Sequence, residues 1–191
     1  MNKMKIEERT WTKEKIFETL WMIVKYSFVA GTLTLLIRGF LLIPLPVEGN
    51  SMEETLSQGD MVVVEKMSAI KRFDIVVFQL ADGTTYIKRV IGLPGESVSY
   101  QDDQLFINGE IVVEPFLEEK IAENEDTIPV TADFQFEELM GVEKLGKDSY
   151  FVIGDNRRAS KDSRSFGAIS VDDIFGIARL VYYPFPHIKF I

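Results

Sequence analysis

The chemistry this sequence offers rests on one serine and one lysine. Ser51 lies in Gly49-Asn50-Ser51-Met52, directly after a hydrophobic segment. Lys88 lies in Tyr86-Ile87-Lys88-Arg89-Val90, in a run that reads as a β-strand. A serine hydroxyl attacks a carbonyl only when a neighbouring group removes its proton. The usual partner is histidine, and the one histidine here is His187, close to the C-terminus. Lysine is the known substitute, and a Ser-Lys pair is an accepted variant of the serine-protease constellation.

Gly49 and Asn50 make the approach to Ser51 a turn, which can expose the Ser51 hydroxyl and backbone N–H together. Taken alone, Gly-Asn-Ser is equally a simple loop. Lys88 adds weight. Side chains alternate across a strand, so Tyr86, Lys88 and Val90 share one face and Ile87, Arg89 and Ile91 the other. Both faces are otherwise mostly apolar. Burial among such neighbours disfavours an ammonium and lowers its pKa, leaving the neutral amine that a general base must be. The bland alternative is an edge strand whose lysine points to water.

A third cluster follows in Gly154-Asp155-Asn156-Arg157 and Ser160-Lys161-Asp162-Ser163-Arg164. It reads either as a polar surface loop or as a brace around a site. In the second reading Ser160 hydrogen-bonds the lysine amine, and Asp155 with Arg89 and Asp162 with Arg164 form partly buried ion pairs. Such pairs are weak evidence of stability but fix local geometry.

The elements that must position these groups fall into two parts. Residues 20–45 are hydrophobic, interrupted by Lys25 and Arg38. A helix over residues 20–43 reaches about 36 Å, against about 30 Å of bilayer hydrocarbon. Lys25 and Arg38 then snorkel toward the headgroups, Trp21 suits the interface, and Pro44 and Pro46 end the helix. Lys3, Lys5, Arg9, Lys13 and Lys15 precede the span, so the positive-inside rule places residues 1–19 in the cytoplasm and residues 46–191 outside. Alternatives are a cleaved signal peptide or a buried core helix. Residues 42–45, Leu-Ile-Pro-Leu, offer no small-x-small cleavage site.

The remainder is predicted to be mainly β, an antiparallel and partly closed domain behind the single transmembrane helix. Strands are expected at 61–66, 74–79, 84–91, 150–153 and 174–182. Residues 104–113 read as a hairpin, because Asn108-Gly109 suits a type I′ turn. Residues 115–148 are acidic and weakly periodic, and are expected to be an insertion or cap.

These residues resemble the type I signal peptidases, particularly the shorter Gram-positive-like forms. The resemblance is carried by Gly49-Asn50-Ser51-Met52-Glu53-Glu54-Thr55-Leu56, the strand Asp74-Ile-Val-Val-Phe78, residues 86–96 around Lys88, and residues 154–167, in that order after one anchor. It implies a membrane-bound serine endopeptidase that removes signal peptides from exported preproteins with small residues before the cut. Ser51 would be the nucleophile, Lys88 the base, Ser160 the residue that orients the lysine, and the Ser51 backbone N–H the oxyanion donor. The substrate would lie extended beside Val47 and the strand from Thr85 to Ile87, with shallow apolar pockets near Val47, Met52 and Ile87. Two departures stand out. Glu54 occupies a usual proline position, and Gly49 stands where some members carry a hydroxyl that helps bind the oxyanion.

Composition narrows the field. The net charge is -9 and no long basic stretch occurs, which argues against nucleic-acid binding. There are no cysteines, which excludes a cysteine nucleophile, disulfides and thiolate metal sites, and one histidine excludes a histidine-rich metal site. No metal or other cofactor is expected; the lipid bilayer is an expected partner. A self-cleaving repressor protease shares a Ser-Lys dyad, but such proteins carry a DNA-binding domain. A catalytically silent anchored scaffold is the alternative of a different class, and inactive relatives would be expected to lack Ser51 or Lys88.

Overall fold

The computed structural model describes residues 13–40, 42–53, 55–124 and 128–191. Lys3, Lys5, Arg9 and Glu54, named above, lie outside these. The chain divides into two compact units, residues 1–41 and 42–191.

The first unit is one helix, α1 (Lys13–Phe40). Apolar side chains occur all around it: Phe17, Leu20, Met22, Ile23 and Val29 are all exposed. A helix that is apolar on every side has no polar face to turn toward water. Its segment Lys13–Leu35 is long and apolar enough to cross a membrane.

The expected helix over residues 20–43 is corrected at its C-terminal end. Leu42–Pro46 forms a strand, β1, paired antiparallel with β2 (Met61–Glu65). Pro44 and Pro46 supply no N–H, and a proline drives the residue before it toward extended backbone. An edge strand tolerates both losses, and β1 lies at the edge of its sheet.

The second unit is mainly antiparallel β. Its larger sheet contains β1, β2, β11 (Ile174–Tyr183), β3 (Ile75–Gln79), β4 (Thr85–Gly92), β9 (Ser149–Ile153) and β10 (Ile169–Ser170), adjacent in that order. A short strand β12 (Lys189–Phe190) pairs with β11. The second sheet runs β7 (Glu110–Val112), β6 (Gln104–Ile107), β5 (Val98–Gln101), β8 (Phe134–Gln135). Neither sheet closes into a barrel in this strand order.

The cores explain the strand sequences. β3 reads Ile-Val-Val-Phe without alternation because both faces are covered. Ile75 and Val77 enter one cluster with Val62, Val64 and Val181; Val76 and Phe78 enter another with Val90, Val152 and Ile177. The hairpin between β6 and β7 turns on Asn108 and Gly109, both at positive φ (52° and 83°), as a type I′ turn requires. The acidic stretch is not separable from what precedes it. Its β8 pairs with β5, and its Phe136 packs with Tyr100, Leu105 and Phe151. It also contributes two short helices, α2 (Glu118–Ala122) and α3 (Phe136–Met140).

Candidate active site

Ser51 sits in the loop from β1 to β2. Gly49 starts the turn at φ +77°, a conformation that a side chain would strain. Met52 and Leu56, each 1% exposed, pin the loop into the core one turn apart, and the Leu56 N–H donates to the Met52 carbonyl at 2.7 Å. Asp60 closes the loop: Val47 N–H donates to its carbonyl at 2.8 Å, and its carboxylate accepts the Ser57 N–H at 2.9 Å. His187 Nδ1 lies 2.7 Å from that carboxylate, far in role from any nucleophile.

Lys88 lies mid-strand in β4, opposite Val76 of β3. Opposed residues of an antiparallel pair share a face. Lys88 therefore shares the face of Val76, Phe78 and Val90, with its Nζ 5.4 Å from the Tyr86 ring centroid. The residue is 2% exposed. Its Nζ donates to Ser51 Oγ at 2.6 Å and to the Ile87 carbonyl at 2.9 Å. Burial pulls the amine pKa down to about 8, against the opposing pull of the Asp162 and Asp155 carboxylates. At pH 7 about one amine in ten is then neutral, against about one in three thousand for an unperturbed lysine.

The loop after β9 holds the pair in place. Gly154 packs so closely that a Cβ there would collide with the Ser51 carbonyl oxygen and Ser160 Oγ. Its N–H donates to Asp162 Oδ2 at 3.1 Å. Asp162 also caps α4 (Ser163–Phe166) and accepts two bonds from the Arg164 guanidinium, each 2.8 Å. Arg89 grips Asp155 bidentately at 2.8 and 2.6 Å, donates to the Phe73 carbonyl, and stacks over Phe116.

Ser160 departs from the expected arrangement. The structure brings it beside Gly154 and Ser51, but its buried hydroxyl makes no hydrogen bond among the described residues. The Ile87 carbonyl takes the place expected for Ser160 as the second partner of the Lys88 amine.

A cleft of about 680 Å³ opens on Ser51 and Lys88. Leu45, Pro46, Val62, Val77, Thr85 and Ile87 form its walls. Val47 and Met52, expected on the wall, are corrected to the core behind it, 2% and 1% exposed. Thr85 to Lys88 pair with β3 on one side only, since β9 meets β4 from Arg89 onward.

Two features escaped the sequence reading. Asn156 donates from its backbone N–H to the Ser51 carbonyl and from Nδ2 to the Asn50 carbonyl, both at 3.1 Å. Arg157 is buried against Glu114, Tyr100 and Thr131, with its Nη1 donating to the Tyr100 hydroxyl at 2.7 Å. Burial raises the pKa of that phenol well above its ordinary value. Glu114 borders an acidic stretch in the sequence, and nothing local marks it as a partner for an arginine.

Comparison with known proteins places the chain as a whole. The family model described as "Signal peptidase, peptidase S26" matches residues 20–183. Signal peptidase I V of Bacillus subtilis (strain 168) is 42% identical over 161 residues, covering 80% of this chain and 95% of that protein. Signal peptidase I P of Bacillus subtilis subsp. natto is 40% identical over 188 residues, covering 93% and 98%. A crystal structure of a signal peptidase I from Enterococcus faecalis V583 is similar with a TM-score of 0.55 and 37% identity, covering 59% of this chain and 98% of that one. The match runs from within the apolar helix to the end of β11, and on that extent the chain belongs to the signal peptidase family, peptidase S26.

Proposed function

We propose that this chain is a membrane-anchored endopeptidase that removes signal peptides from exported preproteins, with Ser51 as nucleophile and Lys88 as general base. The observation that carries the reading is the 2.6 Å contact between Ser51 Oγ and the amine of a lysine only 2% exposed. Neutral Lys88 takes the Ser51 hydroxyl proton as Oγ bonds to the scissile carbonyl carbon. The Ser51 backbone N–H stabilises the oxyanion. The Lys88 ammonium then protonates the departing amine as the C–N bond breaks, leaving an acyl ester on Ser51. Lys88 next takes a proton from water, which attacks the ester, and returns that proton to Ser51. The signal peptide leaves with a free carboxylate.

The substrate binds as an added strand. The free edge of Thr85 to Ile87 offers main-chain hydrogen bonds, and β1 at the sheet edge borders the same cleft. Apolar walls at Leu45, Val62, Val77 and Ile87 favour small residues before the cut. Helix α1 is the anchor, and the basic residues before it hold the N-terminus in the cytoplasm.

The test uses the purified full chain and a synthetic signal-peptide substrate. Cleavage after the last signal residue, lost in both Ser51→Ala and Lys88→Ala, is expected. Near wild-type activity in either variant removes the dyad. Protease added to intact spheroplasts should digest the β unit; protection until lysis reverses the orientation.

A further inference from the structure

The peptide unit joining Asn50 to Ser51 carries the Asn50 carbonyl at one end and the Ser51 N–H at the other. In a trans, planar peptide these two groups point in opposite directions, so holding one aims the other. The Asn50 carbonyl accepts two hydrogen bonds, from the Glu53 N–H and from Asn156 Nδ2, each at 3.1 Å. The Asn50 oxygen is an acceptor, so the Asn156 atom facing it must be the NH₂ group. The Ser51 N–H itself donates to no protein group among the described residues.

The two holds differ in kind. Glu53 belongs to the same turn and moves with it. Asn156 approaches from 106 positions along the chain, on a loop fixed on both sides. Its neighbour Asp155 is gripped by Arg89, and its neighbour Arg157 by Glu114. The backbone N–H of Asn156 also holds the Ser51 carbonyl. One residue thus restrains the peptide planes before and after the nucleophile.

Restraint matters here because the plane can turn about the Asn50 Cα–C and Ser51 N–Cα bonds, in a turn that Gly49 enters at φ +77°. Gly49 also brings no hydroxyl that could share the oxyanion, which leaves the backbone N–H as the donor whose direction counts. A hydrogen bond to the carbonyl further polarises the amide and strengthens its N–H as a donor. We propose that Asn156 is the positioning residue of the oxyanion site, its side-chain amide holding the peptide plane that directs the Ser51 N–H toward the developing oxyanion. This rests on the Ser51 and Lys88 reading above. Asn156 touches neither the substrate carbonyl nor the proton in flight; it acts through the Ser51 amide.

The experiment compares wild type with Asn156→Ala in the purified full chain, using the signal-peptide substrate and a peptide aldehyde that forms a tetrahedral adduct with Ser51 Oγ. We expect kcat to fall about 10- to 100-fold, less than or at the edge of the loss on deleting an oxyanion donor outright. KM should stay within about twofold, and the aldehyde should lose affinity in parallel with kcat/KM. The acidic limb of the pH profile should not move, because the Lys88 amine is untouched. If Asn156→Ala fails to fold, Asn156→Leu, of nearly the same volume and without a donor, carries the test. A kcat within twofold of wild type overturns the proposal. So does a shifted acidic limb with kcat recovered at high pH, which would place the effect on Lys88, or a rise in KM that accounts for the loss. Wild type and Ser51→Ala assayed alongside separate the two readings: an inactive wild type, or an active Ser51→Ala, overturns the dyad itself and the oxyanion proposal with it.

Discussion

Arg157 and Glu114 form an ion pair with side chains 0% and 4% exposed, joining the loop that holds Ser51 to the end of β7 in the second sheet. The Tyr100 hydroxyl and Thr131 Oγ1 accept from the same guanidinium, so the charge is matched where water is excluded, with Nε left without a hydrogen bond among the described residues.

Removing one partner strands the other's charge. Glu114→Ala should cost about 3–5 kcal/mol, the range for breaking a buried pair. Urea unfolding followed by circular dichroism measures it. The apolar double variant Glu114→Leu with Arg157→Met should recover most of the loss. A Glu114→Ala cost below about 1 kcal/mol would show that the pair is solvated.

Activity should rise with pH through about 8. In the proposed mechanism the active form of Lys88 is the neutral amine, and burial holds its pKa at about 8. The Asp162 and Asp155 carboxylates oppose burial by favouring the ammonium. Asp162→Asn removes one of them, so the acidic limb of kcat/KM should move to lower pH. A move to higher pH would contradict this electrostatic account.

The same lysine should destabilise the fold. Its pKa is about 8 folded and 10.5 unfolded, so between these values the unfolded chain binds more protons. Stability therefore rises as pH increases from about 8 to about 10.5, and below about 8 the full penalty applies, about 3 kcal/mol. Lys88→Met should be inactive yet more stable than wild type at pH 7, with the gain shrinking toward pH 10.5. Denaturant midpoints across pH report it; equal midpoints at pH 7 would mean that the ammonium is not desolvated.

Gly154→Ala should cost activity out of proportion to stability. The new Cβ meets the Ser51 carbonyl oxygen and the Ser160 side chain, so the nucleophile loop must shift. A displacement near 1 Å is enough for a loss of about 100-fold. Steady-state kinetics beside a thermal melt decide it, and wild-type kcat would show that the loop relaxes freely.

Local pattern was enough for much of this protein. The apolar run of β3 marked a strand, and Asn108-Gly109 marked the turn of the β6–β7 hairpin through positive φ. The all-round apolar helix was legible from composition over one window. Ser51 and Lys88 were legible because a lysine among apolar strand neighbours and a serine after Gly-Asn are unusual residue choices with a chemical reason.

Other features needed partners distant in the chain. Leu42 and Ile43 read as the tail of an apolar helix until β2 offers Leu42–Pro46 hydrogen bonds, which only the folded sheet supplies. Val47 and Met52 read as cleft residues, but the side-chain direction that sent them into the core depends on how the β1–β2 loop closes at Asp60. Ser160 comes to lie beside Gly154 with its hydroxyl unbonded among the described residues, while the Lys88 amine bonds the Ile87 carbonyl of its own strand. Asn156 and Glu114 gain meaning from atoms brought across 106 and 43 positions of sequence. Sequence determines which groups can do the chemistry, since reactivity belongs to residue type and local period. Tertiary structure decides which peptide plane faces the cleft and which charge is paired, since those depend on distances the chain fixes only by folding.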